Sequence, residues 1–199
     1  MKLGLNCNVE YHPSFLSKAE ANELFKHLDG FKELTNMLVL KTLAGESYSY
    51  EFGKLTFTDK KLQEVKTFPE SVWGPSMIWS DQMILIKNRI ENFTGHKFEV
   101  CVCIYYPDGN SGVAYHSDYV AFGDTSFIPS LSLGEEREFY LREKETLTET
   151  KIILENGSLI IMAENYQERY EHSLPINDIY KRPRINLTFR KYGFKKTIS

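Results

Sequence analysis

From residue 98 onward the chain is a series of short extended segments. They cover 98–106, 128–133, 138–142, 151–154, 158–162 and 184–190, with turn signals between them. A run of this kind reads as an all-β sandwich or barrel. Glu155-Asn156-Gly157 contains Asn-Gly, the strongest short hairpin signal, so the flanking segments are expected to pair as a hairpin.

The first half is mixed. Ser17-Lys18-Ala19-Glu20 is a capping box, followed by Ala21, Leu24, Phe25 and Leu28 on one apolar face, with Gly30 as the stop. Residues 33–58 read as short extended pieces, including the alternating Tyr48-Ser49-Tyr50-Glu51-Phe52. A second helix is expected from near Ser80 to near Gly95, with Met83, Ile86, Ile90 and Phe93 on one side. The expected class is α+β, with a mainly β half and N-terminal helices packed on it. A length of 199 residues suits one domain. Residues 1–97 would form the helices and an extension, and 98–194 the β core.

Composition narrows the class further. With 42% hydrophobic and 14% aromatic residues, a disordered chain is excluded. No apolar run approaches a membrane span, and the N-terminus lacks the apolar core of a secretory signal. A net charge of -3 excludes a histone-like binder, but a local basic face would still suffice for nucleic acid. The three cysteines give no disulfide framework. Cys101 and Cys103 alternate in an apolar strand and read as buried hydrophobes of a reducing compartment. A cytoplasmic monomer is expected, nuclear if the source is eukaryotic, with no membrane partner.

The chemistry concentrates in two clusters. His116-Ser117-Asp118 places an imidazole and a carboxylate at i and i+2, which project the same way along a strand or its exit. With His172 they make two histidines and one carboxylate, the facial set of non-haem Fe(II). Alone, the His-x-Asp pair reads equally as a surface turn with a His–Asp hydrogen bond. The second cluster is Arg184-Ile185-Asn186-Leu187-Thr188-Phe189-Arg190. Its four polar residues share one strand face. Two inward guanidinium groups need an anion, and a dicarboxylate would match them. An edge strand with its polar face in water is the competing reading.

Several longer stretches go beyond the ligands. They are KNRIENFTGHKF (87–98), YYPDGNSGVAYHSD (105–118), IPSLSLGEEREFYLR (128–142), GSLIIMAENYQERYEHSLP (157–175) and RINLTFR (184–190). In order and spacing the chain resembles the AlkB family of Fe(II)- and 2-oxoglutarate-dependent dioxygenases, from about Tyr48 to Phe194. The resemblance implies a double-stranded β-helix (jelly-roll) core. It implies His116, Asp118 and His172 as iron ligands and catalytic residues. Arg184 and Arg190 would hold 2-oxoglutarate, with Asn186 and Tyr106 as hydrogen-bonding partners. The family's Asn two residues before that tyrosine is Ile104 here, and Tyr105 offers a competing register.

The implied reaction uses Fe(II), 2-oxoglutarate and O2 and yields succinate and CO2 while hydroxylating a substrate carbon. On an N-methyl group the product releases formaldehyde. The implied substrates are N-alkylated bases in DNA or RNA. A small molecule, lipid or protein is the alternative. Tyr48 and Tyr50 lie where the family's nucleotide-recognition region would sit and could stack on a flipped base, or be ordinary strand aromatics. Tyr119 joins them as a candidate substrate contact. From Lys181 to Lys196 there are seven basic residues and no acidic ones. Lys181, Arg182, Lys191, Lys195 and Lys196 could meet phosphates, or form a solvated face. Repair-type members of the family tend to carry an acidic residue shortly after this aspartate; residues 119–123 carry none, which suits a neutral lesion such as an etheno adduct, or a substrate that is not a nucleobase. The family's Gly in its Met-x-Gly-x-x-Gln run is Glu164 here.

Overall fold

A computed structural model describes residues 1–31, 34, 38–41, 47–50, 52–64, 74–118 and 123–193, with 38–41 and 47–50 described as backbone. In chain order the elements begin with β1 (Val9–His12), α1 (Lys18–Asp29), β2 (Leu38–Lys41), β3 (Ser47–Tyr50), β4 (Gly53–Thr58) and α2 (Lys60–Glu64). Then come β5 (Ser76–Ile78), α3 (Asp81–Thr94), β6 (Val100–Tyr106), β7 (Val113–His116), β8 (Ile128–Gly134) and β9 (Arg137–Glu143). The last are β10 (Glu149–Leu154), β11 (Leu159–Met162), α4 (Tyr166–Arg169), β12 (Tyr170–Leu174) and β13 (Arg184–Arg190).

Among the described residues there are three sheets. The larger has the order β1-β11-β8-β13-β6-β4-β5, the smaller β10-β9-β12-β7, and β2 pairs with β3 alone. One apolar core lies between the two main sheets, where Tyr106, Ile128, Ile160 and Met162 meet Phe139, Leu141, Leu154 and Leu174. A second lies under the helices on the outer face of the larger sheet, with Leu24, Leu28, Met83 and Ile90 against Leu131, Leu133, Leu187 and Phe189. The expected helices-on-β arrangement is what forms, and no described helix is long and apolar enough to cross a membrane.

Both helix starts follow their caps. Glu20 N–H donates to Ser17 Oγ and Ser17 N–H donates to Glu20 Oε2, closing the capping box. Met83 N–H donates to Ser80 Oγ, and Gly95 closes α3 in the left-handed conformation (φ 72°). Phe93 departs from its expected place in the buried face: it is half-exposed, resting on the edges of His12 and Phe15.

The Asn-Gly signal marks a turn but not a hairpin. β10 pairs with β9 in the smaller sheet, whereas β11 pairs with β1 and β8 in the larger one. The reason is burial. Every residue of β11 is buried, as an interior strand requires, while β10 alternates at a sheet edge. At the corner, Gly157 has φ 87°, and an added Cβ would lie 2.9 Å from the Leu16 carbonyl oxygen.

Arg137, on β9, holds the chain at the ends of β7 and β12. It is 1% exposed. Its Nη1 donates to the carbonyls of Asp108 and Ser111, and its Nη2 to that of Pro175. The guanidinium also lies over the Tyr106 and Tyr180 rings. Replacing Arg137 with Met leaves three carbonyl groups without their donor. We expect a loss of about 3 kcal/mol of unfolding free energy in urea titrations. A change below about 0.5 kcal/mol, the range of ordinary surface substitutions, would remove this buttressing role.

Candidate metal centre

The antiparallel pairing of β7 and β12 sets His172 directly opposite His116. Opposed residues in a ladder project from one face, and the two rings stand 4.4 Å apart between centroids. Asp118 follows the end of β7 and joins them. The potential ligand atoms of His116, Asp118 and His172 all lie within 4.8 Å of one another. Two imidazoles and one carboxylate at this separation can share one metal ion.

The surroundings set the state of each of the three side chains. His116 Nδ1 lies 2.8 Å from the Ala114 carbonyl, which can only accept, so Nδ1 carries the proton and Nε2 keeps the lone pair. Burial pulls the His172 pKa down to about 4, so this imidazole is neutral near pH 7 and available as a ligand. Burial alone would raise the Asp118 carboxyl. The Arg190 guanidinium, helped by His172 and His116, overrides it and holds the pKa below its ordinary value. Arg190 Nη2 donates to Asp118 Oδ1. Gln167, on α4, accepts from the Asp118 backbone N–H at 2.8 Å, and its Nε2 donates to Asp118 Oδ2 at 3.4 Å.

The facing sheet carries the basic residues. Arg184, Asn186, Thr188 and Arg190 project from one face of β13, as their spacing predicts. Arg184 is 2% exposed. Its Nη2 donates to Ser132 Oγ, but Nε and Nη1 are buried with no hydrogen-bond partner among the described residues. A buried guanidinium with two unmatched donors fits a carboxylate ligand. Tyr106 is paired directly with Arg184 across β6 and β13, so the two stand on one face. Tyr105 pairs with Ile185 and packs toward the helical core. Burial pushes the Tyr106 phenol up to about 12, so it stays a neutral donor. Asn186 pairs with Ile104, and its amide donates to Ser130 Oγ while accepting from Thr188 Oγ1.

The other candidates are less assembled. Tyr48 and Tyr50 lie on β3, paired with Leu40 and Leu38; their side chains, and all of Tyr119, fall outside the described residues. Arg182 forms a two-pronged pair with Glu135, so it is not simply a free phosphate contact. Lys191 lies over the Phe127 ring, and Lys195 and Lys196 are outside the described residues. Sequence reasoning missed Gln167, Ser130 and Ser132. The serines were legible in the Ser-Leu-Ser-Leu alternation of β8, which puts both on one face. Gln167 had no local signal.

Residues 8–190 match the model of the 2OG-Fe(II) oxygenase superfamily. The chain is 29% identical to alpha-ketoglutarate-dependent dioxygenase alkB homolog 3 of Bos taurus, over 89% of this chain and 64% of that protein. It is 30% identical to the DNA oxidative demethylase ALKBH2 of Bos taurus, over 94% of this chain and 69% of that protein. The chain thus spans about two thirds of these relatives' lengths. Its fold is similar to the solved structure of OsALKBH1, with a TM-score of 0.63, covering 95% of this chain and 100% of that one at 13% identity.

Proposed function

The chain belongs to the AlkB family within the 2OG-Fe(II) oxygenase superfamily, and from that premise we propose that it oxidatively dealkylates N-alkylated bases in DNA or RNA. The observation that carries this reading is the pairing of a His-Asp-His cluster with a buried arginine whose Nε and Nη1 lack a partner among the described residues. That combination has a place for a metal and a place for a carboxylate on facing sheets. The names of the two bovine relatives, a dioxygenase and a DNA oxidative demethylase, support the substrate class.

His116, Asp118 and His172 would hold Fe(II), and three ligands leave positions for the co-substrate and dioxygen. Arg184, with donors left unmatched at Nε and Nη1, would face one carboxylate of 2-oxoglutarate, with the neutral Tyr106 phenol beside it. Arg190, also expected to hold the co-substrate, pairs with Asp118, and with Gln167 it would keep that carboxylate in place beside the two imidazoles. Bound Fe(II), with 2-oxoglutarate and O2, supplies the oxidation of a substrate C–H bond. The protein's own contribution is orientation and the holding of charge.

The test is a mass-spectrometric assay with Fe(II), ascorbate and 2-oxoglutarate, using short DNA and RNA oligonucleotides that carry methyl or etheno lesions. Lesion loss matched by succinate is the expected result, weakening as salt is raised because phosphate contacts are screened. Succinate produced without loss of any lesion would overturn the nucleic-acid reading and point to another class of substrate.

A further inference from the structure

The inner face of β8 changes character along its length. Ile128 packs in the core between the two main sheets, whereas Ser130 and Ser132, which share its face, are buried hydroxyls. A buried hydroxyl costs free energy unless it is hydrogen-bonded. Both are bonded, and to side chains of β13. Ser132 Oγ accepts from Arg184 Nη2 at 3.0 Å, and Ser130 Oγ accepts from Asn186 Nδ2 at 2.8 Å.

Neither bond joins residues that face each other. Across β8 and β13, Arg184 is paired with Gly134, Asn186 with Ser132 and Thr188 with Ser130. Each bond is therefore a diagonal, displaced by two residues, which is roughly 7 Å of strand. Both diagonals run the same way, toward the C-terminal end of β13. That is the end at which Arg190 pairs with Asp118 of the metal centre. Opposite Arg184 itself stands a glycine, so no β8 side chain meets it there. Among the described residues, Ser132 is the only hydrogen-bond partner of the Arg184 guanidinium. A long, flexible side chain is thus drawn along the strand toward the metal ligands and held there by one hydroxyl.

We propose that Ser132 is a positioning residue that sets co-substrate specificity: by fixing Arg184, it sets the length of the 2-oxo dicarboxylate that can reach from that guanidinium to the metal centre. The inference rests on the placement of 2-oxoglutarate given above. A fixed anchor matches one chain length, here the five-carbon chain of 2-oxoglutarate. An anchor free to swing would accept a longer diacid with little further loss. Specificity of this kind is a difference between two affinities. Its source is the preorganisation of the arginine.

The experiment measures dissociation constants by calorimetric titration of the protein loaded with Mn(II) in place of Fe(II), so that binding is read without turnover. The ligands are 2-oxoglutarate and 2-oxoadipate, which is one methylene longer. The proteins are wild type, Ser132→Ala and Ser132→Thr. Wild type should bind 2-oxoglutarate more tightly than 2-oxoadipate. In Ser132→Ala that preference should shrink by about tenfold, equivalent to about 1.4 kcal/mol, because the hydrogen bond that orients a charged group is gone. Ser132→Thr keeps the hydroxyl and should keep the preference. A loss of stability common to both ligands cancels in the ratio. Equal binding of the two diacids by wild type, or an unchanged preference in Ser132→Ala, overturns the length-setting role while the co-substrate site stands. Failure of wild type to bind 2-oxoglutarate, or binding that Arg184→Met leaves unchanged, overturns the placement on which the inference rests.

Discussion

Replacing His116 with Ala is expected to reduce substrate-dependent succinate formation to background, and replacing Asp118 with Ala to do the same. Two ligands cannot hold the metal as three do. The two variants should differ in stability. Asp118 is the carboxylate that Arg190 pairs with, and both side chains are about nine-tenths buried. Removing it should cost about 3 kcal/mol, because a buried cation loses its counter-charge. His116→Ala removes no such pair and should fold nearly as well as wild type. Iron content and succinate, measured on the purified variants beside a urea titration, separate the two effects. Full activity in either folded variant would refute the ligand assignment.

Arg184→Met should act on the co-substrate. The wild-type guanidinium is almost wholly buried, yet two of its donor atoms have no partner among the described residues. Substitution by a side chain of similar length deletes a buried charge and leaves Ser132 Oγ without its donor. The ligand-free protein should therefore lose little stability and could gain some. The affinity for 2-oxoglutarate should fall by about 100-fold or more, since truncating one side of a buried charge pair costs about 3 kcal/mol. The thermal stabilisation that 2-oxoglutarate confers on the metal-loaded protein should disappear with it. An unchanged co-substrate affinity would end the role given to Arg184. A large loss of stability without ligand would show that its main work is structural.

Much of this site was readable because it follows local periods. The i and i+2 spacing of His116 and Asp118 and the alternation through β13 each decide a face within a few residues. The capping box and the Ser80 and Gly95 signals likewise predicted α1 and α3 within a residue or so. Arg137 could not be read in this way. Its three carbonyl partners lie on segments 26 to 38 residues away, and nothing near it in sequence announces them. Gln167 is similar, since its partner Asp118 lies 49 residues earlier.

The Asn-Gly turn shows where local reading ends. Its chemistry dictated a tight reversal at Asn156-Gly157, and a reversal is what forms. Whether the two flanking strands then pair depends on what else each can bury. β11 finds β1 and β8 on both sides, and β10 finds β9. The same distinction holds for the metal centre. Residue types and spacing specified two histidines, a carboxylate and a polar strand face. Pairing between strands distant in sequence brought His172 opposite His116 and Tyr106 opposite Arg184. Side-chain direction is a property of a few consecutive residues, whereas strand partnership is chosen by the burial of whole sheets.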